Sequence, residues 1–287
     1  MSELDDIRRA YAQAILAAAN VRSDRLAAAF AKVPRERFLG PGPWQILDPN
    51  SRDAEYRGTD ADPAHLYHDV LVAIDPARRL NNGQPSYLAF CLDALDLRQA
   101  DCVLHVGCGV GYYTAIAAEV VGPGGRVIGV EIDAGLAERA RRNLSAFDHV
   151  EVVQADGGEY DAGSYDAIFI NAGATHPRSV WLDRLRPGGR LILFLTAALD
   201  DSGSGKGGML KVSRNDHGYA ARFLSPVSVF HCIGSRDHAA NRRLRESFNR
   251  GGWQRVRSLR RDQHEVGHDC WLHGEEFCLS TSGLREP

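Results

Sequence analysis

Three glycines and one acid are the residues of this chain whose types and spacing point most directly to chemistry. Gly107, Gly109 and Gly111 alternate with other residues directly after an apolar run. Glycine permits positive φ angles and lets a ligand approach the backbone without a Cβ atom in the way. Glu131 follows the first glycine by 24 positions. At that spacing a carboxylate accepts hydrogen bonds from both hydroxyls of a ribose. The pattern predicts an adenosine site.

Two strands and a helix must position these residues. Residues 102–106 are almost continuously apolar and β-branched, which is typical of a buried parallel strand. Residues 112–121 predict a helix whose N-terminal amides face the glycine turn. Residues 126–130 predict a second strand with Glu131 at its end. A purely structural turn is the alternative interpretation of the glycines, and the surrounding strand, helix and acid favour adenosine binding.

The spacing and the downstream strands distinguish between adenosine cofactors. The G-x-G-x-G run resembles motif I of class I S-adenosylmethionine (SAM) methyltransferases, whereas dinucleotide folds show G-x-G-x-x-G. A third strand over residues 149–157 ends in Asp156-Gly157, and a fourth over residues 165–171 ends in Asn171. A Pro-Gly-Gly turn and a fifth strand lie within residues 182–195. This order resembles a class I methyltransferase throughout and implies that Asp156 meets the adenine amino group. A nucleotide-linked oxidoreductase remains the alternative from another enzyme class.

The residues that we predict to bind SAM lie at the strand ends and in the glycine loop. They are His105, Gly107, Cys108, Gly109, Gly111, Glu131, Ile132, Asp156, Gly157 and Asn171.

Composition limits the class of protein. The chain has 287 residues, of which 44% are apolar and 25% charged, so it can bury a sizeable core. Neither a signal pattern nor a membrane-spanning apolar run is present in the sequence. Six scattered cysteines indicate reduced thiols, and a net charge of −3 gives no general attraction to nucleic acid. We expect a cytoplasmic protein without membrane or nucleic-acid partners, and the sequence does not predict its oligomeric state.

Three regions follow from the patterning. Residues 1–63 predict a helical region and a loop, residues 64–234 the SAM-binding domain, and residues 235–287 a C-terminal extension. The first helix carries Ile7, Tyr11, Ile15 and Leu16 at helical spacing, and Ser23 can cap a second one. Residues 40–63 predict a loop, and the Gly/Ser-rich residues 200–208 predict a flexible loop after the fifth strand.

Segments outside the glycine loop resemble the protein-L-isoaspartate O-methyltransferase family. They are Val33–Phe38 (VPRERF), Leu66–Asp69 (LYHD) with a following Gln84-Pro85, and residues 165–168 with 182–191. The resemblance covers residues 5–234. It implies a doubly wound, Rossmann-like α/β sheet that is mostly parallel and has an antiparallel C-terminal edge. It also implies methyl transfer from SAM to a carboxylate of a protein or peptide. The alternatives are a relative retargeted to a peptide natural product or small acid, and a non-catalytic SAM-binding adaptor.

Two departures from that family concern the site. Family members carry a Thr-Ile-Ser-x-Pro-like run whose serine lies beside the methyl acceptor, and this chain places Gly83 there. The resemblance makes Asn81, Asn82, Gly83 and Gln84 the acceptor-pocket candidates, while turn chemistry is their other interpretation. His105 stands where the family has an acid. It is either a hydrogen-bonding group near the methionine end of SAM or a core histidine satisfied within its strand.

The C-terminal extension holds two clusters. The basic one comprises Arg242, Arg243, Arg245, Arg250, Arg255, Arg257, Arg260 and Arg261, and its alternatives are an RNA or acidic-peptide grip and a solvated or internally paired face. The other has metal-ligand residue types, His264, His268, Cys270, His273 and Cys278. Because neither a Cys-x-x-Cys pair nor a zinc-finger spacing is present, we predict a packed tail without metal.

Overall fold

A computed structural model describes residues 3–51, 55–198 and 204–284. The chain divides into two compact units. The first unit comprises Met1–Ala100, Cys108–Gly129 and Asp133–Val152, and the second comprises Asp101–Gly107, Val130–Ile132 and Val153–Pro287. The three-region division predicted above stays a prediction.

The first unit is built mainly from helices. These are α1 (Glu3–Ala18), α2 (Asp24–Lys32), α3 (Glu36–Leu39), α4 (Pro85–Ala94), α5 (Tyr112–Val121) and α6 (Ala134–Asn143). The first two helices confirm the helical spacing, since Tyr11, Ile15 and Leu16 are buried in α1. The Ser23 hydroxyl accepts a hydrogen bond from the Leu26 amide at 3.3 Å and caps α2 as predicted.

A small antiparallel sheet lies partly where a loop was predicted. It runs in the order β2-β1-β3-β4, with β1 (Gln45–Leu47), β2 (Arg57–Gly58), β3 (Leu71–Asp75) and β4 (Leu80–Asn81). The loop prediction for residues 40–63 is therefore wrong at β1 and β2. Trp44 belongs to an apolar cluster with Leu66 and Val72, and Ile46 packs against it. Burial by a sequence-distant strand thus overrides the turn-rich composition.

The larger sheet contains every strand predicted from the cofactor motif. Its first strands are β5 (Cys102–Val106), β6 (Arg126–Glu131), β7 (Val150–Gln154), β8 (Tyr165–Ala174) and β9 (Leu185–Ala198), and β10 (Ser204–Asn215) and β11 (Gly218–Phe230) follow. The hydrogen-bonded order among these is β7-β6-β5-β8-β9-β10-β11. Pairs β5–β8 and β8–β9 are parallel, and β9–β10–β11 is an antiparallel meander. This confirms the predicted fold class.

The prediction of a flexible loop over residues 200–208 is wrong for the residues of this segment that the structure describes. Ser204–Gly208 begin β10: all five residues pair with β11, and residues 205–208 also pair with β9. Residues 200–203 lie outside the described residues. A Cβ atom on Gly207 would lie only 1.9 Å from the Leu195 carbonyl oxygen. Glycine here therefore allows close strand approach, whereas the sequence suggested chain flexibility.

The C-terminal extension continues the same sheet. After α7 (Ser179–Asp183) and α8 (His238–Arg250), the strands β12 (Ser258–Arg260), β13 (Cys270–His273) and β14 (Cys278–Ser280) extend it in the order β11-β12-β14-β13. Trp271, Leu272, Phe277 and Leu279 are buried, which confirms the packed tail. No disulfide joins the six cysteines. Within the described ranges, no helix has the length and apolar character needed to cross a membrane.

Candidate active site

The second unit contains the topological switch of the sheet. From β5 the chain goes on to β6 and β7 on one side, and β8 and β9 lie on the other. In open α/β sheets, ligands bind outside the carboxyl ends of the strands at such a point. Gly107 follows β5 there, with φ of +74°, and its amide donates to the Val130 carbonyl at 2.8 Å. A Cβ on Gly107 would lie 3.2 Å from the Asn171 carbonyl oxygen. These two predicted residues are therefore neighbours.

Asn171 lies in an irregular part of β8. The register between β8 and β9 shifts between Ile170 and Gly173, so Asn171 falls within a bulge and not at the strand end as predicted. Bulges redirect side chains and are frequent beside functional sites.

The two predicted carboxylates lie at the carboxyl ends of the consecutive strands β6 and β7. Glu131 is the last residue of β6 and is buried, with 7% of its surface exposed. The Ala155 amide donates to the Glu131 carbonyl at 3.1 Å, which brings the end of β7 beside it. Ile132, in contrast, is one of the few exposed large apolar residues, at 40%. A buried acid beside an exposed apolar surface suits a ribose and the adenine attached to it.

Asp156 is held by its surroundings. One carboxylate oxygen accepts from the Gly158 amide at 2.8 Å. A Cβ on Gly234 would lie 1.7 Å from the other oxygen, so only glycine fits there. The neighbouring Gly157 carbonyl accepts from the Trp181 indole at 2.7 Å. The loop after β7 is thus held by a hydrogen bond at Asp156 and by another at Gly157.

The first unit holds the remainder of the glycine loop. Gly111 precedes α5 with φ of +91°, and a Cβ there would lie 2.7 Å from Leu144. Gly109 has φ of +57° with open space at the Cβ position, and Cys108 is buried. These conformations are the ones that glycine favours, so the loop is suited to backbone contact with a ligand.

His105 lies in β5 and is 1% exposed. Its ring stacks on Phe169, with centroids 5.1 Å apart and an angle of 11° between the planes. Burial lowers the pKa of His105 to about 3, so its imidazole is neutral at physiological pH. It therefore does not reproduce the charge of the family acid. Its contact with the cofactor stays a prediction.

Of the four acceptor-pocket candidates, Asn81 and Gly83 form a tight turn. The Asn81 side-chain oxygen accepts from the Gly83 amide at 2.9 Å. Gly83 has φ of +75°, and a Cβ there would lie 3.0 Å from a methyl carbon of Leu88. The turn interpretation holds for this pair, and the backbone at Gly83 disfavours any side chain.

Gln84 belongs to a network around Asp69 at the start of α4. The Gln84 amide donates to Asp69 at 2.8 Å, and the Ser86 hydroxyl and amide donate to the same carboxylate at 2.6 and 2.8 Å. Asn82 is buried, and its side-chain nitrogen has no hydrogen-bond partner among the described residues. Asn82 is thus the candidate with an uncommitted amide donor.

Arg35 is a positioning residue that the sequence did not reveal. It is fully buried, and its guanidinium donates to the carbonyls of Leu66 at 2.6 Å and Val70 at 2.8 Å. These bonds fix the segment that carries Asp69. The two family-like segments VPRERF and LYHD are therefore linked through this side chain. The family resemblance was its one available signal.

The structure places the two C-terminal clusters in different surroundings. Several arginines are engaged internally: Arg250 donates to the Trp271 carbonyl at 2.7 Å, and Arg260 pairs with Asp262 at 2.6 Å. This agrees with an internally paired face. The four residues His264, Cys270, His273 and Cys278 place their potential ligand atoms within 4.8 Å of one another. His268 is exposed and lies outside that group. Whether the tail binds a metal stays a prediction.

Comparisons with known proteins give a consistent family. The sequence model of the protein-L-isoaspartate(D-aspartate) O-methyltransferase (PCMT) family matches residues 59–203, about half of the chain. A protein-L-isoaspartate O-methyltransferase of Ignicoccus hospitalis is 30% identical over 230 residues, covering 78% of this chain and 96% of the relative. Protein-L-isoaspartate O-methyltransferase 2 of Archaeoglobus fulgidus is 37% identical over 143 residues, covering 46% of this chain and 65% of the relative.

Solved structures give the same fold. A protein-L-isoaspartate O-methyltransferase superposes with a TM-score of 0.63 and 24% identity, over 84% of this chain and 69% of that one. A second structure is described as a putative protein-L-isoaspartate O-methyltransferase from Plasmodium falciparum in complex with S-adenosyl-L-homocysteine. It superposes with a TM-score of 0.58 and 17% identity, over 78% of this chain and 97% of that one. At these identities the likeness supports the fold alone.

Proposed function

The chain belongs to the protein-L-isoaspartate(D-aspartate) O-methyltransferase family, and from that premise we propose that it methylates a carboxylate of a protein or peptide. It is a SAM-dependent methyltransferase. The observation that carries the proposal is the pair of acids at the ends of β6 and β7, beside a glycine turn at the switch of the sheet.

The proposed cofactor contacts follow from the donors and acceptors present. Glu131 accepts from the ribose hydroxyls, Ile132 packs on the adenine, and Asp156 accepts from the adenine amino group. Gly107 and the loop that continues to Gly111 approach the cofactor through the backbone, because no Cβ occupies these positions.

The chemistry requires little of the protein beyond positioning. Bound SAM supplies an electrophilic methyl group on a sulfonium. A carboxylate oxygen attacks the methyl carbon in line, the C–O bond forms as the C–S bond breaks, and sulfur keeps the bonding pair. The acceptor carboxylate, with a pKa near ~4, is already ionised at neutral pH, so no general base is needed. Rate enhancement then comes from alignment and from excluding water.

The site differs from the family at the acceptor. Gly83 offers no hydroxyl, and the nearby Ser86 hydroxyl is already bound to Asp69. The uncommitted amide of Asn82 is the donor that we propose to orient one acceptor oxygen. We therefore propose weak or absent turnover of ordinary isoaspartyl peptides. The second candidate function, methylation of a peptide natural product or small acid, rests on the same observation.

Methyl transfer from tritium-labelled SAM tests these proposals. The acceptors are an isoaspartyl peptide, its aspartyl twin, a peptide mixture and small dicarboxylic acids, and mild base releases labelled methanol only from methyl esters. We expect base-labile label on a carboxylate acceptor. At limiting SAM this label should be strongly reduced in Glu131→Gln and unchanged in Glu138→Gln, which changes an exposed acid on α6. Base-stable label would contradict carboxyl methylation, and brisk turnover of the isoaspartyl peptide would contradict retargeting. SAM binding without any product would favour the adaptor.

We also propose that the protein acts in the cytoplasm. The support is the absence of a disulfide among its six cysteines. Fractionation of cells carrying a tagged full-length chain tests this, and recovery outside the cytosolic fraction would contradict it.

A further inference from the structure

A group of histidines and cysteines lies at the C-terminal edge of the sheet, in the second unit. His264 precedes β13, Cys270 and His273 lie in β13, and Cys278 lies in β14. We propose that these four residues bind one structural Zn²⁺ ion in a closed Cys₂His₂ site. The proposal does not depend on the methyltransferase function.

The distances between the donors fit tetrahedral zinc. With Zn–S of ~2.3 Å and Zn–N of ~2.0 Å, neighbouring ligand atoms of a tetrahedron lie about 3.3–3.8 Å apart. Cys270 Sγ and His264 Nε2 are 3.5 Å apart, which matches a sulfur–nitrogen edge. All four donors lie within 4.8 Å of one another, so a small contraction completes the shell.

Neighbouring backbone groups hold two of the donors in the orientation that metal binding requires. Nδ1 of His264 lies 2.8 Å from the Asp262 carbonyl, which can only accept, so Nδ1 carries the proton and Nε2 presents its lone pair toward Cys270. The Gly267 amide donates to Cys270 Sγ at 3.3 Å, as it would to a thiolate. Nδ1 of His273 is buried and has no hydrogen-bond partner among the described residues. A metal would account for each of these features.

The fold assembles the site by strand pairing. His273 and Cys278 are direct partners across the antiparallel β13–β14 pair. The chain between β12 and β13 brings His264 back to Cys270, and the Asp269 carboxylate accepts from the Ser280 hydroxyl at 2.8 Å to hold its end. A surface cleft lined by α8 and β13 reaches Cys270 and His273, which provides an entry path.

The ligand set selects the ion and its role. Two thiolates neutralise one divalent cation, and mixed sulfur and imidazole ligands in a tetrahedron favour zinc over magnesium or calcium. Four protein ligands leave no open position, which is typical of a structural site. The ion would fasten the loop between β12 and β13 to the edge of the sheet.

A disulfide between Cys270 and Cys278 is the competing chemistry, because their sulfur atoms lie within 4.8 Å of each other. It would need an external oxidant and would remove both sulfur ligands from the metal. Metal content and thiol content together distinguish the two states.

The test uses the full chain, purified without chelators from zinc-supplemented cells. Elemental analysis should find close to one zinc per chain, and a mercurial reagent should release it as the thiols react. Cys270→Ser and Cys278→Ser should each lose most of the zinc. The matched controls His268→Ala, an exposed histidine of the same segment, and Cys232→Ser, a buried cysteine elsewhere, should keep it.

Cobalt replacement gives a readout that does not depend on the variants folding. Co²⁺ loaded into the zinc-free wild-type chain should show tetrahedral d–d bands and sulfur-to-cobalt charge transfer, and zinc should displace both. Wild-type protein without zinc, a Cys270–Cys278 disulfide in it, or an octahedral cobalt spectrum would each overturn the proposal. Zinc retained in both cysteine variants would do so as well.

Discussion

The buried imidazole of His105 makes the stability of this protein depend on pH in a calculable way. His105 is 1% exposed within β5 and stacks on Phe169. Burial lowers its pKa to about 3, whereas an imidazole in an unfolded chain titrates near ~6.5. Replacing it with asparagine, which does not titrate, isolates this effect.

The sign follows from which state binds the proton. Above pH ~6.5 both states carry a neutral imidazole, and the stability is fully present. As the pH falls from about 6.5 toward 3, the unfolded chain is protonated and the folded chain is not, so the free energy of unfolding decreases. The full difference between the folded and unfolded pKa values corresponds to about 5 kcal/mol of unfolding free energy. About 2 kcal/mol of this is lost by pH 5.

Urea unfolding at pH 7.5 and pH 5 measures this loss. Wild type should lose about 2 kcal/mol more than His105→Asn between the two pH values, because all other groups titrate alike in both proteins. The exposed His217, in the turn between β10 and β11, supplies the control variant His217→Asn, which should behave as wild type. Equal pH-dependent losses in wild type and His105→Asn would refute a strongly depressed pKa at His105.

Three further outcomes are expected. Calorimetric titration of Glu131→Gln should show SAM binding about ten- to a hundredfold weaker, since a charge-assisted hydrogen bond contributes roughly 1.5–3 kcal/mol, and unchanged affinity would remove Glu131 from the ribose. Gly83→Ser should unfold at lower urea concentration, by about 1–2 kcal/mol, because its backbone has φ of +75°, and a neutral effect would mean that the turn relaxes. Asp101→Ala should cost about 3 kcal/mol by removing the carboxylate that lies 2.7 Å from the buried guanidinium of Arg190, while Glu151→Ala, in the exposed pair with Arg126, should cost under about 1 kcal/mol; similar losses would contradict this ranking.

Most of the secondary structure that was predicted correctly follows from local periodicity in the sequence. The helix 112–121 and the strand 102–106 agree with the structure in both bounds, since each is specified by its own apolar pattern and by the glycines beside it. The cap at Ser23 was equally local. The positions of Glu131 and Asp156 at the ends of β6 and β7 were predicted correctly because strand ends can be recognised from the sequence around them, and their contacts with SAM stay predictions.

Features that depend on distant partners were missed. The strands β1 and β2 form because they pair with each other and because β1 also pairs with β3, all of which lie apart in sequence, and residues 205–208 are extended because β9 and β11 pair with them on both sides. The same holds for the acceptor candidates. Only the bonds from Gln84 and Ser86 to Asp69 distinguish an engaged side chain from the uncommitted Asn82.

The zinc site that we propose would lie outside the spacing rules for metal ligands. Zinc-binding spacings such as Cys-x-x-Cys describe ligands that a single short turn brings together. Here an antiparallel pair performs that task, since directly opposed residues have Cβ atoms about 4.5–5.5 Å apart whatever their separation in sequence. His273 and Cys278 are such a pair, and the chain before β13 supplies the remaining histidine. Ligands that are divided between paired strands can therefore be recognised only once the strand register is known. The spacing of these residues along the sequence does not reveal that register.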